Sequence, residues 1–293
     1  MRRLLVGPVR DAPSWYWCAA DLLEGLRPVF EVDTFSRPEE CRSRQADVVL
    51  FVKHLPASGF DLQFLAGSKV AYMPVDYFES LGHVASQEVF LRRCDVLLLH
   101  SARLVPVLGR YCSNTVLVEH YGKYVLPEAG RYRSGGFVLW VGFVEHTSPT
   151  VDWFLGEPRS FGLRVATNRP SNTPEWERRG LVQVRWSEEV QRQLMEGAKA
   201  GVDVKGKNFA QLTKPPTKAQ QFVASGIPFA TNPGSYAWEY FHARGLDLVS
   251  PDDLGRWFSR GYWEETRDAG VRLREEVARE RVVESYVDCL SRL

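Results

Sequence analysis

The stretch Lys214–Asn232, KPPTKAQQFVASGIPFATN, decides how this chain is read. Proline is tolerated where a helix begins, because its missing N–H has no partner there anyway. Pro215 and Pro216 therefore mark a helix start. Ala224, Ser225 and Gly226 are small enough to let that helix pack closely and then turn. IPFATN follows as a buried strand. A helix, a tight turn and a buried strand form one half of a strand-helix repeat.

The same alternation extends outward in both directions. Upstream, RLLVGPV, FEVDTF, ADVVLFV, SKVAYMPVD, DVLLLHS and TVLVEHY read as strands. Helical stretches lie between them, among them SWYWCAADLLEGL, the segment around SQEVFLRRC, and ARLVPVLGRY. The strand runs are continuous in Val and Leu, as parallel strands buried on both faces require. Pro, Gly and charged residues interrupt the pattern near residues 127–135, and a second series begins. FVLWVGF, LRVATN, VQVRW, VDVKG and IPFATN are its strands. SEEVQRQLMEGAKA is a helix with Ser187 as N-cap. The expected fold class is α/β, with two Rossmann-like doubly wound domains facing across a cleft. The expected domains are 1–130, 131–262, and terminal amphipathic helices over 263–293 that return to the first domain.

The chain has 293 residues, 44% of them hydrophobic and 25% charged, with a net charge of +1. This is a globular composition of a size that suits two domains. The near-neutral charge makes no demand for an electrostatic partner such as DNA. No apolar run approaches the roughly 20 residues of a membrane span, and the N-terminal run is too short for a signal peptide. Cys18, Cys41, Cys94, Cys112 and Cys289 are scattered and lack a C-x-x-C pair. They read as reduced thiols of a cytoplasmic protein, without a disulfide frame or a zinc site.

Ligands of such sheets bind outside the carboxyl ends of the strands. His54, His100, His120 and His146 follow strands, as do Asp76, Asn168 and Arg169. GVDVKGKN nearly spells a phosphate loop, but Asn208 stands where Ser or Thr must hold magnesium, and the strand lies inside the pattern. The sequence has no H-E-x-x-H, G-x-S-x-G, G-x-G-x-x-G or D-x-D. Lysine is more informative. The chain has 8 lysines against 29 arginines, yet Lys199, Lys205, Lys207, Lys214 and Lys218 fall within 20 residues. Lys214 and Lys218 flank a helix N-terminus, whose free N–H groups and positive dipole end suit an anion.

KPPTKAQQFVASGIPFATN resembles the donor-binding segment of GT-B glycosyltransferases, especially the branch near family 4. FVLWVGF is similar to the first strand of that family's second domain, and VLVEHYGKY to its interdomain segment. NPGSYAWEYFHARGLDLVSPDDLGRWF resembles the segment that closes the domain. The likeness is specific over about residues 137–260 and architectural over 1–127. Three positions depart from the family pattern. Gln221 and Thr213 stand where its two motif glutamates occur, and Phe143 where an arginine follows the first-strand glycine.

The resemblance implies a metal-independent glycosyltransferase, a hexosyl or related transferase that moves a sugar from a nucleotide sugar to a hydroxyl. The donor is expected to be UDP-linked, with no further cofactor and no metal. The acceptor would be a glycan, a small molecule or a modified DNA base. It implies donor contacts at Gly142, Asn168, Arg169, Lys205, Lys207, Lys214, Lys218 and Gln221. The acceptor side would use Gly7, Arg10, Trp15, Tyr16 and His54, and the catalytic candidates are Asp76, His120 and Glu145. A non-catalytic binding or scaffold protein of the same fold and a sugar-nucleotide epimerase are the alternatives.

Overall fold

The computed structural model describes residues 1–56 and 62–293. It holds two parallel sheets. The first comprises β1 (Arg2–Gly7), β2 (Phe30–Thr34), β3 (Val48–Val52), β4 (Lys69–Met73), β5 (Val96–Leu99) and β6 (Thr115–Leu117). Its order is β2-β1-β3-β4-β5-β6. The second comprises β7 (Phe137–Val141), β8 (Gly162–Thr167), β9 (Leu181–Arg185), β10 (Ala200–Asp203) and β11 (Phe229–Thr231). Its order is β11-β10-β7-β8-β9.

The continuous apolar runs follow from burial on both faces. Successive side chains of a strand point to opposite sides of the sheet. Leu4, Val6, Val48, Leu50, Val96 and Leu98 pack on one face with Trp15, Leu22, Leu26, Val282 and Tyr286. Leu5, Val49, Phe51, Tyr72, Leu97 and Leu99 pack on the other with Phe90, Leu91 and Leu108. Helices cover both faces of the central strands, which therefore have no room for polar alternation. In the second sheet Val138, Leu139 and Trp140 of β7 are fully buried.

The chain forms two compact units. One contains 1–121, 208–214 and 276–293, the other 122–207 and 215–275. The terminal helices therefore divide, where the sequence assigned 263–293 as a whole to the first domain. The Arg260–Glu276 helix is held in the second unit by close packing. A Cβ on Gly270 would meet the Val223 carbonyl oxygen at 2.2 Å. Tyr262 donates its hydroxyl to the Phe229 carbonyl at 2.7 Å. Only the Arg279–Ser291 helix joins the first unit, where Val282, Tyr286 and Leu290 enter the core.

Residues 208–214 also belong to the first unit. Phe209 packs on its core, and Arg103 donates to the Leu212 carbonyl at 2.9 Å. SWYWCAADLLEGL does not form one helix. It splits into Pro13–Cys18, a short 3-10 turn and Leu23–Leu26, because Ala19 leaves the helical region at φ −141°. Ser187 caps the Glu188–Gly197 helix as expected, accepting from the Val190 N–H.

Candidate functional site

Counted from its own first strand, the second sheet runs 3-2-1-4-5, so its order reverses between β7 and β10. Ligands of doubly wound sheets bind at such a switch point, beyond the carboxyl ends of the strands. Asp203, the last residue of β10, lies there and is only 5% exposed. Trp140 Nε1 donates to its Oδ1 at 2.9 Å. Lys218 Nζ donates to the same oxygen at 2.8 Å. Lys205 Nζ lies 2.5 Å from Oδ2. The Lys218 ammonium also sits 3.9 Å from the centroid of the Trp140 ring, a cation–π contact.

Burial alone would raise the Asp203 carboxyl. The charges of Lys205 and Lys218, with their hydrogen bonds, outweigh it and hold the group well below the usual carboxylate range. Asp203 is thus an anchor that fixes two cations at one place. The surrounding backbone is tied as well. Thr231 Oγ1 donates to the Asp203 carbonyl at 2.7 Å. The Val204 N–H donates to Thr150 Oγ1 at 3.1 Å, and the Lys205 N–H to Asn232 Oδ1 at 2.6 Å.

Gly142 closes this site from β7. A Cβ there would meet the Trp140 ring at 2.7 Å and Lys218 Nζ at 3.3 Å, so only glycine fits without displacing the lysine. Lys218 lies in the first turn of the Thr217–Ala224 helix, whose N-cap is Pro216 and carries no side-chain cap. Gln221, one turn on, is buried. Its Oε1 accepts from Gln191 Nε2 at 3.0 Å, and Gln191 Oε1 accepts from Trp186 Nε1 at 2.8 Å. The Gln221 amide is thus fixed by the neighbouring Glu188–Gly197 helix. Asn168 Oδ1 accepts from the Val144 N–H at 2.9 Å, fixing the turn after β7. Arg169 pairs with Glu145, and both are exposed. Lys207 is exposed. Lys214 lies in the first unit and Lys218 in the second, so the two lysines that flank the helix start belong to different bodies.

The first unit holds the other expected residues. Gly7 ends β1 so close to Phe35 that a Cβ would meet its carbonyl oxygen at 2.3 Å. Arg10 is exposed and donates to the Ser36 carbonyl at 3.2 Å. Trp15 was expected on the acceptor side, but the core takes it, because its side of the helix faces the sheet. Tyr16, the next residue, is exposed and donates to Asp11 Oδ1 at 3.1 Å. His54 is half-buried and sets its ring edge-on to Tyr77. Burial and then the nearby Lys53 and Arg10 charges lower its pKa.

Asp76 is exposed beyond β4 with φ of 48°, and Lys53 follows β3 with φ of 61°. Two non-glycine residues in the left-handed region at adjacent strand ends are a feature of functional sites. His120 is buried, contrary to the open position a general base needs. Cys18, His100 and Trp17 enclose it. Burial lowers its pKa to about 4, although the Asp76 charge opposes that shift.

Sequence reasoning missed Asp203 and Trp140, which it read as strand residues. The available signal was an aspartate ending a strand two residues before a lysine. It also missed Cys18, which only folding brings to the histidines.

Two tandem Rossmann-like domains, each with a parallel sheet, form the fold of GT-B glycosyltransferases. No family model and no curated protein matches the sequence. Solved structures match its fold. AviGT4, a glycosyltransferase involved in avilamycin A biosynthesis, is 16% identical, with a TM-score of 0.62 over 100% of this chain and 98% of that one. Sucrose-phosphate synthase from Thermosynechococcus elongatus is 11% identical, with a TM-score of 0.67 over 99% and 98%. WaaG, a glycosyltransferase involved in lipopolysaccharide biosynthesis, is 11% identical, with a TM-score of 0.58 over 97% and 95%.

Proposed function

We propose that the protein is a glycosyltransferase that moves a sugar from a nucleoside-diphosphate donor to a hydroxyl acceptor. The observation that carries this reading is the pair of lysines fixed on Asp203 at the switch point of the second sheet. Glycosyl transfer leaves a diphosphate behind, and negative charge develops on it as the bond breaks. Cations already oriented by the fold stabilise that charge without reorganising. Lys205 and Lys218 supply them, and the uncapped start of the Thr217–Ala224 helix adds N–H donors of the kind that bind phosphate. In this reading the lysines stand in for a divalent cation at the diphosphate, so transfer does not depend on added metal.

Gln221 faces the nucleoside in this scheme, and an amide binds a ribose hydroxyl less strongly than a carboxylate would. Asp76 is the group to which we assign acceptor deprotonation, as an exposed carboxylate beyond β4. The donor is proposed to be UDP-linked, and the acceptor a glycan, a small molecule or a modified DNA base. Five buried free cysteines fit a reducing compartment, and we place the protein in the cytoplasm. Among the described residues, no helix is long and apolar enough to cross a membrane.

The test is a thermal-shift and turnover panel of UDP-, GDP-, ADP- and dTDP-sugars. A matched donor at 100-fold its Kd stabilises the native state by about 2.7 kcal/mol and yields free nucleotide on turnover. Lys218→Ala is expected to weaken donor binding at least about tenfold, the loss of one charge-assisted hydrogen bond. Unchanged donor affinity in folded Lys218→Ala sinks the site assignment. Binding without nucleotide release in any acceptor mixture identifies a scaffold, and sugar interconversion an epimerase.

A further inference from the structure

Cys18, His100 and His120 are far apart in sequence and converge in the first unit. Cys18 ends the Pro13–Cys18 helix, His100 follows β5, and His120 lies beyond β6. One donor atom of each lies within 4.8 Å of the others. Cys18 Sγ is 3.6 Å from His120 Nδ1. The two imidazoles stack with centroids 3.8 Å apart and planes 13° from parallel. The three residues are 1%, 8% and 7% exposed, respectively. His100 Nε2 is sealed from solvent and has no hydrogen-bond partner among the described residues. Such an orphan is costly, and it needs an explanation that the glycosyl-transfer site does not give.

We propose that Cys18, His100 and His120 form a binding site for a zinc-class divalent cation, with the fourth coordination position open to a small ligand. Ligand type favours this choice. One thiolate and two imidazoles match a borderline-soft metal and exclude magnesium and calcium, which take oxygen. Spacing agrees. With Zn–S of about 2.3 Å and Zn–N of about 2.0–2.1 Å, a tetrahedral site sets sulfur and nitrogen roughly 3.5 Å apart. The stacked rings hold their lone pairs side by side, so binding requires one imidazole to turn about χ2, a soft torsion. A cation bound through His100 Nε2 would give that buried nitrogen a partner. Burial, and then the Asp76 charge, push the Cys18 thiol up, with Lys53 opposing, so metal binding here must displace the thiol proton, as binding to cysteine does. This site lies in the first unit and is independent of the reading of the second.

The test uses the full chain, stripped with a chelator and titrated with cobalt(II) and then zinc(II). One equivalent of cobalt is expected to give the visible bands of a tetrahedral site and a near-ultraviolet thiolate-to-cobalt charge-transfer band. Zinc should bleach both. Cys18→Ser should abolish the charge-transfer band and weaken cobalt binding by at least about tenfold, a loss seen even when groups behind the ligands are removed. Cys41→Ala, in the opposite core cluster, should leave the spectrum unchanged. Near-ultraviolet circular dichroism checks that each variant is folded. If Cys18→Ser does not fold, His100→Ala must shift the visible bands and weaken binding. Wild-type protein that takes up no cobalt or zinc at micromolar concentrations overturns the proposal. So does a charge-transfer band that survives in folded Cys18→Ser.

Discussion

Asp203 is the residue on which the donor-side reading turns. It is a buried carboxylate with two lysines and an indole N–H on its oxygens. Removing one member of a buried charge cluster leaves the others unsatisfied, at a cost of about 3–5 kcal/mol. Asp203→Asn is therefore expected to destabilise the second unit by that order at pH 7, measured by urea unfolding. The pH dependence has a definite sign. The folded-state pKa lies below the unfolded value of about 3.9, so the unfolded chain binds the extra proton. The stabilisation is full above that value and is lost as pH falls from it toward the folded pKa. Wild type should lose stability over that interval, and Asp203→Asn should lose less. Parallel acid profiles in the two proteins would show that Asp203 is not held as described.

Between elements, close backbone approach decides what packs where. The Arg260–Glu276 helix meets the Thr217–Ala224 helix at Gly270, with no room for a methyl group. The obstructing atom is a backbone carbonyl and cannot swing away. Gly270→Ala should thus cost about 1–3 kcal/mol, as overpacked contacts do. Gly156, in the Ser148–Gly156 helix, is the control, since a Cβ there meets nothing within 4 Å. Gly156→Ala should be neutral or stabilising by up to roughly 1 kcal/mol, the propensity gain of alanine over glycine. Equal effects of the two substitutions would refute the close-packing account.

For the whole molecule, the chain path matters more than the order of segments. The last helix leaves the second unit and supplies Val282, Tyr286 and Leu290 to the core of the first. Each fully buried apolar side chain contributes about 1.5–3 kcal/mol. Three of them approach the 5–15 kcal/mol that stabilises a whole domain. A chain ending at Glu276 should therefore lose the cooperative unfolding of the first unit. Hydrogen exchange would detect this as lost protection in β1 to β6, with β7 to β11 retained. Full protection in β1 to β6 would show that the helix is dispensable.

The central strands were legible in the sequence because parallel strands buried on both faces must be apolar at every position, as VVLFV of β3 and VLLL of β5 are, whereas the edge strands FEVDT of β2 and LVQVR of β9 carry polar residues. The turn at Gly226 was legible too, since its φ of 66° suits glycine. The lysine-rich segment suggested anion chemistry from its clustering beside a proline-marked helix start. Tertiary structure decided which lysines act together. Strand order set Asp203 of β10 beside β7, joining Lys205 and Lys218 with Trp140, while the chain crossing put Lys214 in the other unit. It also gathered Cys18, His100 and His120, buried two of the four histidines that follow strands, and drew Trp15 into the core. Local pattern sets which face of an element is apolar. Contacts between residues tens of positions apart depend on how the strands are ordered, and no short stretch of sequence encodes that order.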